Sequence, residues 1–235
     1  MGNENRLLVV AAHPDDEVLG CGATVRRLVD QGWAAHLVTM TAGVSGRYGS
    51  DEDAPDSIRS EQENLRQQMQ NAADIIGFSH IDSFDFSDNR MDTVSRADLA
   101  HSIRPVIESV QPKLVMTHHP GDYNWDHTRT FDAVMMAARP NPPEFAPQEI
   151  RTFEVLSSTE RAWQEASRAF HPNLYVDVAA TLEAKKQALL RYESELRPFP
   201  HPRSIEAIEN LAGRRGNEVG LLYAEAFHIV RKLEV

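Results

Sequence analysis

The residues His13-Pro14-Asp15-Asp16-Glu17 follow directly on the apolar run 7–12, placing one imidazole and three carboxylates at the end of a predicted buried strand. A neutral imidazole and a carboxylate are good ligands for a borderline divalent cation, and a second carboxylate that stays off the metal can take a proton from bound water. Pro14 fixes one backbone angle of the loop, which lets His13 and Asp16 converge while Asp15 points elsewhere. Capping of the following helix would explain one of the carboxylates but neither His13 nor Glu17.

A second polar cluster, His118-His119-Pro120-Gly121-Asp122-Tyr123-Asn124-Trp125-Asp126-His127, follows the predicted strand 113–117. Two such loops at strand ends suggest one shared site, because ligands of open α/β sheets bind beyond the carboxyl ends of the strands. The most economical ligand set is His13, Asp16 and His127, with water completing an open coordination shell. A rival reading takes His13, Asp15 and His127 as a two-histidine, one-carboxylate set for ferrous iron in an oxygenase. A non-enzymatic rival, a nucleotide-binding module, rests on Gly20-Cys21-Gly22 at the helix start; Val25 replaces its third glycine, and the acidic run beside it would repel a pyrophosphate.

The elements that must carry these loops alternate. Val18, Cys21, Val25, Leu28 and Val29 recur at helical spacing before a second strand at 37–40. Helices are predicted over 57–76 and 99–110, a strand at 114–116, further strands near 153–156 and 174–178, and helices around 182–192 and 205–212. The pattern predicts a Rossmann-like α/β fold, a mostly parallel sheet with helices on both faces, forming a single domain over 1–235. The proline-rich stretch 138–147 is expected to be an irregular excursion near the active face, able to serve as a lid. Arg47, after the small-residue loop 41–46, and Asp88, after the third predicted strand, are candidate contacts for a polyhydroxylated substrate; Tyr123 and Trp125 could stack on a sugar ring or pack their loop.

The chain has 235 residues with 24 basic and 35 acidic side chains, a formal charge of -11 that argues against nucleic acid or an anionic membrane as the main partner. Cys21 is the sole cysteine, read as a small core residue, so no intramolecular disulfide exists. The first apolar run is too short for a signal sequence or a membrane span, and a cytoplasmic location is expected.

Together, Ala12-His13-Pro14-Asp15-Asp16-Glu17 and the downstream pair Asp126-His127 resemble the LmbE-like, or PIG-L-like, N-deacetylases. The resemblance extends through Ser87-Asp88-Asn89-Arg90-Met91 to Tyr223-Ala224-Glu225-Ala226-Phe227. It implies a Rossmann-like fold and zinc-dependent hydrolysis of an acetamide on an N-acetylglucosamine-type sugar or glycoconjugate, with another divalent metal or a non-sugar or thiol-conjugate amide as alternatives. It also admits a homo-oligomer, trimeric or hexameric. By the same resemblance His13, Asp16 and His127 bind the metal, Asp15 is the general base, and Arg47 and Asp88 lean toward substrate contact. Many relatives carry a histidine three residues before the last ligand, where this chain has Asn124. Asparagine donates a hydrogen bond but transfers no proton, so the acid role falls to His118, His119 or His201, or Asp15 shuttles the proton while Asn124 steadies the oxyanion. Asp126 is then expected to orient a neighbouring histidine.

Overall fold

In the computed structural model, which describes residues 5–44, 56–162 and 165–234, seven strands form a single sheet in the order β3-β2-β1-β4-β5-β7-β6. In chain order the main elements are β1 (Arg6–Ala11), α1 (Asp16–Asp30), β2 (Ala34–Thr41), α2 (Asp56–Ile76), β3 (Phe78–Phe86), α3 (Arg96–Val110), β4 (Leu114–His118), α4 (Trp125–Ala137), β5 (Glu149–Phe153), β6 (Leu174–Asp177), α5 (Leu182–Leu189), α6 (Ile205–Asn217) and β7 (Ala224–Lys232). β1 to β5 pair in parallel. β7 enters antiparallel between β5 and β6 and is the one departure from parallel order. That strand was missed from sequence, and the strand expected at 153–156 ends at Phe153 instead.

β1 is buried on both faces, so its alternate residues feed two cores. Leu7, Val9 and Ala11 pack with α1, α2, α5 and α6, whereas Leu8 and Val10 pack with α3 and α4. This two-sided burial is what a continuous apolar run in a parallel sheet requires. α3 starts at Ser95, whose hydroxyl accepts from the Asp98 amide, and α6 starts at Ser204 in the same way with Ala207.

α1 lies unusually close to the sheet. A Cβ built on Gly20 would come within 2.2 Å of the Phe153 ring, so only glycine permits this approach. From the other side Glu225 of β7 accepts from the Ala23 and Thr24 amides, and Lys185 of α5 bonds both Glu225 at 2.6 Å and the Leu19 carbonyl at 2.8 Å. The buried charges are thus paired and anchor the helix that carries Asp16 at its start.

The stretch 138–147 is irregular as expected but lies at the amino ends of the strands, opposite the site. It connects α4 to the start of β5, and a right-handed parallel crossover returns the chain to the amino ends of the strands. Arg104 donates to the Ala137 carbonyl and Glu144, and Arg231 to the Ala138 and Pro147 carbonyls, fixing the segment there. The expectation of a lid is therefore corrected. No helix among the described residues is long and apolar enough to cross a membrane.

Candidate active site

The loops after β1 and β4 meet where the strand order reverses direction, the crevice in which an open α/β sheet binds ligands. Pro14 and a left-handed backbone at Asp15 (φ 103°) turn successive side chains of the first loop in different directions. His13 and Asp16 fold back on each other, with Asp16 Oδ2 2.9 Å from the His13 amide and 3.1 Å from His13 Nδ1. The second loop brings His127 Nε2 to 3.3 Å from the same oxygen.

One donor atom from each of His13, Asp16 and His127 lies within 4.8 Å of the others. Asp16 Oδ1 is buried without a hydrogen-bond partner. Two imidazoles around a carboxylate with an unused oxygen form a donor set that fits zinc or a similar divalent ion. Burial works against the Asp16 anion, but His127 and His118 hold its pKa well below the usual carboxylate range. Burial likewise works against a charged His127, yet Asp16 and Asp122 raise it to about 9. The pocket is strongly electronegative, so a proton or a cation is favoured in it.

A layer behind the donors holds them in place. Asp122 Oδ1 lies 3.3 Å from His127 Nδ1 and also accepts from Ser158 and from the Asn124 amide, while Thr159 donates to its other oxygen at 2.5 Å. A carboxylate behind a ligating imidazole fixes its ring orientation and tautomer. His118 stacks on His127 at 3.9 Å between ring centroids, and the edge of Phe153 meets His118 at 5.0 Å. His118 Nε2 accepts the Ala12 amide at 2.8 Å, and burial depresses this histidine to about 3, so it stays neutral with that lone pair engaged.

Asp126 is buried at the start of α4 and accepts from the amides of Asn89 (2.6 Å) and Met91 (3.1 Å), tying down the loop after β3. Its Oδ2 lies 3.2 Å from His13 Nε2, and Asp88 Oδ1 lies 3.0 Å from the same nitrogen. His13, Asp88 and Asp126 form a second grouping of possible donors, but both Asp126 oxygens already serve backbone amides. Asn124 caps α4 by accepting from the Asp126 amide through Oδ1, leaving its amide NH₂ group free of that duty.

A cleft of about 220 Å³ opens above the donors, lined among others by His13, Asp15, Asp88, Asn124, Glu195 and Arg203. Asp15 is buried, and its Oδ2 faces Arg203 Nη1 at 3.0 Å as an ion pair without an aligned hydrogen bond. Burial raises the Asp15 pKa well above the ordinary range, with Arg203 opposing the shift. The same guanidinium nitrogen lies 3.0 Å from Glu195 Oε2, and Arg203 Nε donates to Ser157 at 3.0 Å.

The profile of the PIG-L family, described as GlcNAc-PI de-N-acetylase, matches residues 8–138, more than half of the chain. The chain belongs to the PIG-L family. A probable N-acetyl-alpha-D-glucosaminyl L-malate deacetylase of Bacillus cereus is 28% identical over 199 residues, 82% of this chain and 84% of that protein. The N,N'-diacetylchitobiose deacetylase of Pyrococcus horikoshii has the same fold, with a TM-score of 0.76 at 22% identity over 97% of this chain and 84% of that one. A 4-oxalmesaconate hydratase of Pseudomonas putida is also similar, 24% identical over 192 residues, 77% of this chain and 70% of that protein.

Within this PIG-L domain the structure gathers His13, Asp16 and His127 into one cluster and turns Asp15 toward Arg203, so the iron set built on Asp15 does not assemble. Gly20 serves close packing against Phe153, which removes the basis for a nucleotide fingerprint. Cys21 is a buried core thiol. His119 bonds the Arg168 carbonyl, and His201 lines a neighbouring groove rather than the cleft. Tyr123 and Trp125 flank Asn124 and are both 61% exposed. Arg47 lies outside the described residues. Sequence reasoning missed Asp122, Glu195 and Arg203. Asp122 stood in the histidine-rich loop and could have been found as a carboxylate near a candidate ligand, whereas nothing in the spacing links 195 or 203 to residue 15.

Proposed function

We propose that this protein is a zinc-dependent hydrolase that removes the N-acetyl group from an N-acetylglucosamine-type sugar or glycoconjugate. The observation that carries the reading is the pairing of a compact His13, Asp16, His127 donor set with a separate buried carboxylate, Asp15, at the floor of an open cleft. A divalent cation held by the three donors would polarise the amide carbonyl and acidify a water beside it.

The chain's own groups supply the rest. Asp15 takes the proton of the attacking water and delivers it to the departing amine nitrogen. It takes both roles because Asn124 has no transferable proton, His118 Nε2 is engaged by Ala12, and His119 and His201 lie outside the cleft. The raised pKa that burial gives Asp15 suits a group that must hold a proton between two steps. Asn124 donates from its amide to the carbonyl oxygen as charge develops there. Asp88 accepts from a sugar hydroxyl at the cleft wall. Asp126 orients His13 and the loop that carries Asp88, in keeping with its hydrogen bonds. A cytoplasmic location completes the proposal, with Cys21 as a buried thiol rather than half of a disulfide.

The test is amine release from a panel of N-acetylglucosamine compounds by zinc-loaded protein, with Asp15→Asn compared at equal metal content. The variant should lose at least about a thousandfold in kcat while keeping its metal. Retained turnover in a zinc-replete Asp15→Asn protein would remove Asp15 from the mechanism. Water addition to 4-oxalmesaconate, without amine release, would move the site to the chemistry of the similar hydratase.

A further inference from the structure

Glu17 takes no part in the chemistry proposed above, yet it is fully buried in the first turn of α1 with both oxygens engaged. Its Oε2 accepts from the backbone amide of Asp15 at 3.1 Å, and its Oε1 accepts from the Tyr192 hydroxyl at 2.5 Å. Tyr192 is itself fully buried. Burial and Glu17 push its phenol well above the ordinary range, so it keeps its proton and donates. The amide at the end of this chain belongs to the residue whose backbone is left-handed, at φ 103°. A residue with a Cβ holds that conformation only where its surroundings over-determine it. The Asp15 carbonyl already accepts from the Val18 and Leu19 amides, so the amide is the remaining backbone handle on this residue.

Tyr192 is well fixed for such a duty. Its amide donates to the Leu189 carbonyl at the end of α5, its carbonyl accepts from the Glu195 and Leu196 amides, and the Ser194 hydroxyl donates to Gln68 of α2. The same segment runs on to Arg203, whose guanidinium lies 3.0 Å from Asp15 Oδ2. Residues 192–203 therefore grip Asp15 twice, its backbone through Glu17 and its carboxylate through Arg203. The whole segment lies beyond residues 8–138, which match the family profile. We propose that Tyr192 is a positioning residue for the reaction: through Glu17 it fixes the backbone of Asp15 and so aims that carboxylate at the attacking water. The proposal rests on the deacetylase reading for the role of Asp15. Helix α1 has separate anchors in Glu225 and Lys185, and the donors His13, Asp16 and His127 contact one another directly, so neither the helix nor the donor set hangs on Tyr192.

The test compares zinc-loaded parent and Tyr192→Phe, which loses one oxygen and keeps its ring. With the N-acetylglucosamine compound that the parent turns over best, kcat should fall about tenfold or more while KM stays within about twofold. Zinc affinity, read by chelator competition, should stay within about threefold, because Tyr192 touches none of the donors. A group that only stabilised the fold would lower Tm and leave kcat per folded, zinc-loaded molecule unchanged. Hydrogen exchange at the Asp15 amide, followed by NMR, should become about tenfold faster or more. Glu17→Gln leaves one oxygen for two donors and should show the same pattern. The double variant should lose no more than the worse single, because the two groups act in series. The parent's kcat or the parent's exchange rate at Asp15 in Tyr192→Phe, losses that multiply in the double variant, or a fall in zinc affinity that matches the fall in kcat, each overturns the proposal. Faster exchange at Asp15 in a protein whose parent releases no amine upholds the hold on Asp15 and overturns the deacetylase reading instead.

Discussion

Gly20→Ala tests the packing that connects the core to the candidate metal centre. The new methyl would lie 2.2, 2.6 and 2.7 Å from three atoms of the Phe153 ring, against ordinary carbon contacts of about 3.5–4.0 Å. Either the ring or the helix must therefore move by roughly 1 Å. Phe153 is fully buried, so the strain belongs at the upper end of the range for overpacking, about 3 kcal/mol, while alanine in a helix returns about 1 kcal/mol. The net loss of about 2 kcal/mol should lower Tm by roughly 4–8 °C in a domain of this size. The displacement also has a route to the site, because Phe153 abuts His118 and His118 stacks on His127. A misplacement of about 1 Å at a reacting centre can cost on the order of a hundredfold in rate. Thermal melts of the metal-free and metal-loaded protein, a chelator competition and kcat would be measured for Gly20→Ala, Phe153→Leu and the double variant. The two substitutions should be coupled, with Phe153→Leu relieving part of the Gly20→Ala defect. A Gly20→Ala protein as stable as its parent, with unchanged metal affinity, would refute the reasoning.

Asp122→Ala removes the carboxylate behind His127 and leaves Ser158, Thr159 and the Asn124 amide without their acceptor; a chelator competition should show metal affinity lowered about 10- to 100-fold. Glu225→Ala strands Lys185 and two α1 amides in the interior, and chemical denaturation should report a loss of about 3–5 kcal/mol. In that background Lys185→Met should recover part of the loss, because the buried charge goes with it.

Much of the framework is legible in the sequence because it depends on neighbours along the chain. The apolar run of β1, the helical spacing of α1 and the serine caps of α3 and α6 are local signals, and a polar loop directly after a buried strand must emerge at the strand's carboxyl end. The His13, Asp16, His127 cluster follows from that logic, since two such loops on adjacent strands share one crevice. The strand β7 was not legible: its antiparallel place between β5 and β6 is fixed by pairing partners about eighty and about fifty residues away. The 138–147 stretch was assigned to the wrong end of the strands because proline content signals irregularity but carries no direction.

The sequence alone determined which chemistry could occur, since residue types and their spacing within each loop settle what can ligate a cation and what can move a proton. Only the tertiary structure decided the duties within the site. It locked His118 Nε2 onto a backbone amide, set Asp122 behind His127 and brought Arg203 across from the far end of the chain to face Asp15. Those assignments depend on distances between groups remote in sequence, and such distances exist only once helices and strands have packed.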